Sequence, residues 1–200
     1  MSVAEWLQEK AAEVAQKQWE AQLGGTLAEF HDADLEHVEG SPGQWLREWA
    51  SRLPDVPFRN IVIGGPTGSG KTYAAVAMMK AAAAAGKSAR FVRFHEYVTA
   101  LRPDTDRPHW EVRAAAQEPF LLVVDDLGAG IRTVASEAVQ REMIDLLSGR
   151  NLGLMVTVLT TNLTSDQVEE KFGREFSSRL AKDGAGLRVI HEDRRGRLTW

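Results

Sequence analysis

No cysteine occurs anywhere in the chain, which excludes disulfide staples, thiolate metal sites and a cysteine nucleophile, and which fits a reducing compartment. No apolar run approaches the ~20 residues that a membrane span needs. The start, Met1-Ser-Val-Ala-Glu-Trp6, lacks the basic flank and apolar centre of a secretion signal, so a cytoplasmic protein without membrane contact is expected. A strong excess of positive charge is missing as well. The net charge is −4, and nine acids against Lys10 and Lys17 in residues 1–40 leave the remainder at only +3. A nucleic-acid role would therefore have to rest on local patches or on many subunits acting together.

What is present is one fair-sized core. Two hundred residues, 44% hydrophobic and 26% charged, suffice for a single domain with an appendage. Residues 3–22 hold no Gly or Pro and place Val3, Leu7, Ala11 and Val14 on one stripe, which predicts a helix ended at Gly24-Gly25. A second helix is expected after Ser41, with Pro42 in its first turn and Trp45, Leu46 and Trp49 inward. An acidic, non-periodic connector lies between them.

From residue 60 the pattern alternates. Apolar strands are expected at Asn60–Ile63, Ala89–Phe94, Phe120–Val124 and Leu154–Thr160, separated by helices at Lys71–Ala85, across 96–117, at Ser136–Leu147 and at Ser165–Leu180. Leu187–Ile190 and Arg197–Trp200 read as a short terminal hairpin. Buried strands alternating with helices predict an α/β fold, a parallel sheet covered by helices on both faces.

Gly65, Pro66, Thr67, Gly68, Ser69, Gly70, Lys71 and Thr72 match the phosphate-loop pattern G-x-x-x-x-G-K-[ST], with Tyr73 directly after. The loop follows an Ile-Val-Ile strand and opens a helix. That context lets backbone N–H groups and the helix dipole converge on phosphate oxygens. Lys71 is expected to reach the β- and γ-phosphates of ATP, and the Thr72 hydroxyl to hold Mg²⁺.

Leu121-Leu-Val-Val-Asp-Asp126 ends an apolar strand in two carboxylates. Alone it also fits a loop start or helix cap. Downstream of a phosphate loop, Asp125 is the candidate Mg²⁺ ligand and Asp126 the base for the attacking water. Thr160-Thr161-Asn162 ends the next strand, where the Asn162 amide either senses the γ-phosphate or caps the following helix.

These three motifs, in this order, resemble the AAA+ ATPases, and in detail the DnaC/IstB group. Asp125-Asp126-Leu127-Gly128 and Thr160-Thr161-Asn162 carry the likeness, with Gly173-Arg-Glu-Phe-Ser-Ser-Arg-Leu180 matching the group's helix that ends in Ser-Arg-Leu. The resemblance covers roughly residues 28–200. It implies a P-loop NTPase with an AAA+ core over 26–200, a partner-binding helical extension over 1–25, and no C-terminal helical lid. It implies Arg179 as an arginine finger acting on a neighbouring subunit, with Arg174 as a rival and a helix-end cation as the plain alternative. It further implies Arg195, in His191-Glu-Asp-Arg-Arg-Gly-Arg197, as a second nucleotide sensor, or else a solvated turn.

The same likeness implies an ATPase that forms a homo-oligomer when ATP-bound, engages single-stranded DNA and delivers a replicative helicase gripped through residues 1–25. A phage origin would suit the minimal size. The alternative within the group is recruitment of a transposase to target DNA. Arg102, Arg107, Arg113 and Trp110 are the candidate DNA contacts, although Trp110 reads equally as core and the arginines as solvated. A metabolite kinase is disfavoured for want of a lid.

Overall fold

The computed structural model describes residues 2–103, 105, 108–182 and 184–189, with the backbone alone for Val3, Ala4, Leu7 and Gln8. Its centre is a five-stranded sheet: β1 (Asn60–Gly64), β2 (Ala89–Arg93), β3 (Leu121–Asp125), β4 (Val156–Thr161) and β5 (Gly184–Arg188). The spatial order is β2-β3-β4-β1-β5 and every pairing is parallel. All five strands therefore end at the same edge. β3 and β4 are buried at every position, which is why they read as continuous apolar runs.

Alternation along β3 feeds two cores. Leu121 and Val123 face a layer made by α1 (Val3–Leu23), α2 (Gly40–Ala50) and α3 (Lys71–Ala84). Leu122 and Val124 face the opposite layer, made by α4 (Phe94–Ala100), α5 (His109–Gln117), α6 (Glu137–Leu152), α7 (Ser165–Phe172) and α8 (Arg174–Ala181). The expected parallel sheet covered on both faces is what forms.

Two local expectations are corrected. The single helix over 165–180 is two, because Gly173 takes a left-handed φ of +85° that ends α7 and starts α8 at a new angle. The helical segments expected across 96–117 are α4 and α5. The first half of the terminal hairpin is β5, which lies parallel to β1, while Arg197–Trp200 falls outside the described residues. Among the described side chains of α1, Ala15 and Trp19 are buried, whereas Ala11 is exposed and Val14 is 54% exposed.

The acidic connector is ordered by its few apolar side chains: Leu27, Ala33, Leu35 and Val38 are buried against the α1–α3 core. At the edge strand β2, the Gln22 side chain donates to Ala89 O (2.9 Å) and accepts from Phe91 N (2.9 Å). One amide side chain thereby stands in for the peptide unit of a missing neighbour strand.

At the edge where the strands begin, Arg150 is wholly buried, with no carboxylate partner among the described residues. Its guanidinium donates to Thr157 Oγ1 (2.9 Å), Ala116 O (2.8 Å), Gln117 O (3.3 Å), Phe120 O (3.3 Å) and Val156 O (2.6 Å). Burial lowers its pKa to about 9, so it stays cationic at neutral pH. The last carbonyls of α5 and the entries of β3 and β4 are thus gathered on one rigid fork. Arg150→Met is expected to destabilise the fold by about 3 kcal/mol, because it strips the donor from several buried acceptors at once. A urea midpoint equal to that of the parent chain would refute this.

Candidate nucleotide site

β1 leads straight into the phosphate loop, and the ladder with β4 continues one step further through Gly65 N to Thr161 O (3.2 Å). Gly68 and Gly70 take φ of +80° and +91°, backbone conformations closed to most side chains, so the loop curls back over the start of α3. Lys71 opens that helix and is 6% exposed. Its ammonium donates to Pro66 O (2.7 Å) across the loop and to Asn162 Oδ1 (2.8 Å) at the exit of β4.

The next contact joins α3 to β3. Thr72 Oγ1 donates to Asp125 Oδ1 at 2.9 Å, and Thr160 Oγ1 donates to the same oxygen at 2.6 Å. Burial pushes the Asp125 carboxyl above its ordinary range, opposed by the Thr160 and Thr72 hydrogen bonds and reinforced by the Asp126 charge. A buried carboxylate bonded, among the described residues, through two hydroxyls and with Arg93 as a more distant charge is partly compensated on its own and is suited to a cation.

Asp126 differs from its neighbour in every respect. It is exposed, its φ of +56° is rare for a residue with a side chain, and its N–H donates to Thr160 Oγ1 (2.9 Å). The chain reverses here. Leu127 N then bonds Thr160 O (2.8 Å), and Thr161 Oγ1 donates to Leu127 O (3.0 Å). The two threonines were noted in the sequence only as part of a motif, yet they are what hold Asp125 and Asp126 in their different places. A hydroxyl in a strand buried at every position was the available signal.

The residues present fit a nucleotide with a divalent cation. Ser69 Oγ is buried inside the loop with no hydrogen-bond partner among the described residues, and the lysine, the hydroxyl and the two carboxylates converge at one strand edge. Tyr73 is the least direct member: its hydroxyl donates to Asp32 O (2.9 Å) and meets His37 Nδ1 at 3.0 Å, tying α3 to the connector. Burial raises its pKa.

Arg179 lies elsewhere. It sits near the end of α8, 45% exposed and 3.6 Å from Glu175. Its carbonyl accepts from Asn60 Nδ2 (3.1 Å), at the entrance of β1, whereas the phosphate loop begins at that strand's exit. About 13 Å of strand separates the two ends, more than an arginine side chain spans. Arg174 is exposed in the first turn of α8, and Arg195 lies outside the described residues. Lys171 is a residue sequence reasoning missed. Its ammonium donates to Ile131 O, Arg132 O and Thr133 O at 3.0–3.1 Å, anchoring the loop that follows Asp126.

Of the candidate DNA contacts, Trp110 is 70% exposed and therefore not core. Arg102 is exposed, and Arg107 lies outside the described residues. Arg113 is engaged: its Nε and Nη2 both donate to Glu142 Oε2, at 2.9 and 2.7 Å, so its charge is offset within the chain.

A family model described as IstB-like ATP binding protein matches residues 5–184. Among curated proteins, an ATP-binding protein in an insertion sequence of Mycobacterium tuberculosis is 26% identical over 136 residues, covering 68% of this chain and 53% of its own length. The chain thus spans about half the length of that relative. Among solved structures, the DnaC helicase loader superposes with a TM-score of 0.67 at 20% identity, over 81% of this chain and 99% of that one. DnaI gives 0.70 at 18% identity, over 84% and 93%. The replication initiator DnaA bound to AMPPCP and single-stranded DNA gives 0.68 at 18%, over 81% and 51%. At these identities the structures share the fold.

Lys71→Ala is expected to abolish binding of a fluorescent ATP analogue, since it removes the ammonium aimed across the loop. Asp125→Asn should lose the Mg²⁺ dependence of that binding, while the melting temperature of the nucleotide-free protein stays equal or rises, because a buried charge that is only partly compensated is gone. A lower melting temperature would show that Asp125 is structural instead.

Proposed function

Because this chain belongs to the family of IstB-like ATP-binding proteins, we propose that it is an ATPase switch whose ATP-bound subunits assemble side by side on DNA to place a partner enzyme there. The observation that carries this reading is the junction of Lys71 with Asn162 and of Thr72 with Asp125, which brings all three sequence motifs to one strand edge.

Each residue then has a task. The loop N–H groups and Lys71 hold the phosphates, and Thr72 with Asp125 holds Mg²⁺, which when bound offsets phosphate charge. Exposed Asp126 orients the attacking water and takes its proton. Asn162 accepts from the Lys71 ammonium, so a γ-phosphate that draws the lysine away changes what the Asn162 amide bonds. That exchange makes the amide a reporter of nucleotide state. Arg179 cannot reach the phosphates of its own subunit and is proposed to stabilise charge on those of the next one. Arg195 is proposed as the second sensor.

For the partner, the relative carried in an insertion sequence favours a transposase delivered to target DNA. The second reading, delivery of a replicative helicase, is supported by the architecture shared with DnaC and DnaI. Single-stranded DNA is proposed to stack on Trp110 with Arg102 beside it. The first half of α1 is proposed as the partner-binding segment: Trp6 and Val14 are exposed, whereas Ala15 and Trp19 belong to the core.

Asp126→Asn is expected to bind ATP normally and to hydrolyse it at least ~10²-fold more slowly; normal turnover would overturn its role as base. Arg179→Ala should likewise bind but not turn over, and mixing the two variants should restore activity at interfaces that pair an intact site with an intact finger. Deletion of residues 2–11 should preserve ATP binding and abolish co-elution with the partner. Transposase and replicative helicase are offered as alternative baits, and undiminished co-elution would remove α1 from the interface.

A further inference from the structure

Asn60 is the first residue of β1, wholly buried, and at the edge of the sheet opposite the phosphate loop. Its side chain does no work in the strand ladder. Its amide nitrogen instead donates to Arg179 O (3.1 Å) and to Lys182 O (2.8 Å), two of the carbonyls left unpaired at the end of α8. Its Oδ1 has no partner among the described residues. A buried amide that leaves its own acceptor unpaired while donating twice into one helix end is retained for that end and costs stability locally.

A second feature presses on the same place. Gly184 faces Asn60 across the β1–β5 pairing, and a Cβ there would fall 2.1 Å from Leu180 O. The end of α8 is therefore seated on the entrance of the sheet by one donor and by one missing side chain. The rest of α8 is held through Phe176 and Leu180 in the core, while Arg179 projects between them into solvent. A terminal turn without internal hydrogen-bond partners frays readily unless something outside the helix holds it.

We infer that Asn60 is a positioning residue for Arg179: it pins the last turn of α8 to the first residue of the strand that leads into the phosphate loop, and so fixes where this subunit's arginine meets its neighbour's nucleotide. The inference rests on the reading of Arg179 as a finger acting between subunits. Asn60 touches no phosphate, and its effect runs through Arg179. β1 then links the two half-sites of one subunit, the loop at its exit and the finger at its entrance, so displacement of either end is felt along one rigid strand. Misplacement by about 1 Å is enough to cost about 10²-fold in turnover when a charged group must meet a transferring phosphoryl group.

The test uses ATP, the full chain and mixed subunits. Asn60→Ala and Gly184→Ala are each expected to bind the fluorescent ATP analogue within about twofold of the parent and to hydrolyse ATP about 10²-fold more slowly at saturating ATP, so that kcat falls and KM does not. Each variant keeps an intact phosphate loop and Asp126. Mixing either with Asp126→Asn, which keeps an intact finger, should therefore restore turnover, as mixing Arg179→Ala with Asp126→Asn does. A subunit damaged in its own site, or unable to fold, cannot be rescued this way. If Asn60→Ala hydrolyses ATP like the parent, or if its mixture stays inactive while the Arg179→Ala mixture recovers, the positioning role is overturned. If the Arg179→Ala mixture itself stays inactive, it is the between-subunit reading of Arg179 that falls, and the role of Asn60 with it.

Discussion

Everything in this molecule depends on the hydrogen-bonding demand of a parallel sheet buried on both faces. Such a sheet cannot be built from hairpins, so each strand must be followed by a crossover, and all strand exits collect at one edge. With β3, β4 and β1 adjacent, the carboxylates after Val124, the amide after Thr161 and the loop after Gly64 become neighbours even though nearly a hundred residues separate them. The site is a consequence of strand order.

The two edges of the sheet are chemically opposite. At the exits, Lys71 and Asp125 are held in buried positions, bonded to Pro66 O and Asn162 Oδ1 and to the Thr72 and Thr160 hydroxyls, and Asp126 sits in a strained backbone conformation. These are features that cost stability and make sense where a charged ligand is to be met. At the entrances, Arg150 and Asn60 spend buried donors on carbonyls of helix ends and strand starts. There the polar groups fasten elements together: α5 to β3 and β4 through the one, α8 to β1 through the other.

That division bears on how a nucleotide is used. Thr160 bonds both Asp125 and the Asp126 N–H, while Lys71 bonds Asn162, so the loop, the carboxylates and the exit of β4 form one connected set. Lys171 extends the set to the loop after Asp126, and Gly173 follows two residues later, where α8 departs. A change at the phosphates is thus linked by short contacts to the helix that carries Arg179. The fold itself is shared with DnaC, DnaI and DnaA at 18–20% identity.

By itself the sequence determined the parallel α/β architecture, the phosphate loop and the two carboxylates, because each is written in consecutive residues: apolar runs for strands, Gly-rich spacing for the loop, and a charged pair where a run stops. The boundaries of β1 to β4 followed to within a residue or two for the same reason, whereas β5 begins three residues before the expected Leu187. Only the tertiary structure decided the rest. The packed face of α1 was not legible, because Ala15 and Trp19 answer to a surface made by α3 and β2, which no periodicity within α1 encodes. Trp110 turned out exposed because α5 buries Val112 and Ala116 instead, and Arg113 turned out engaged because it meets Glu142, twenty-nine residues away. Arg150, Asn60 and Lys171 carry no local signature at all, since what defines them is the carbonyls they meet. Short-range pattern is readable in one dimension, whereas the pairing of a donor with a distant acceptor exists only after the chain has closed.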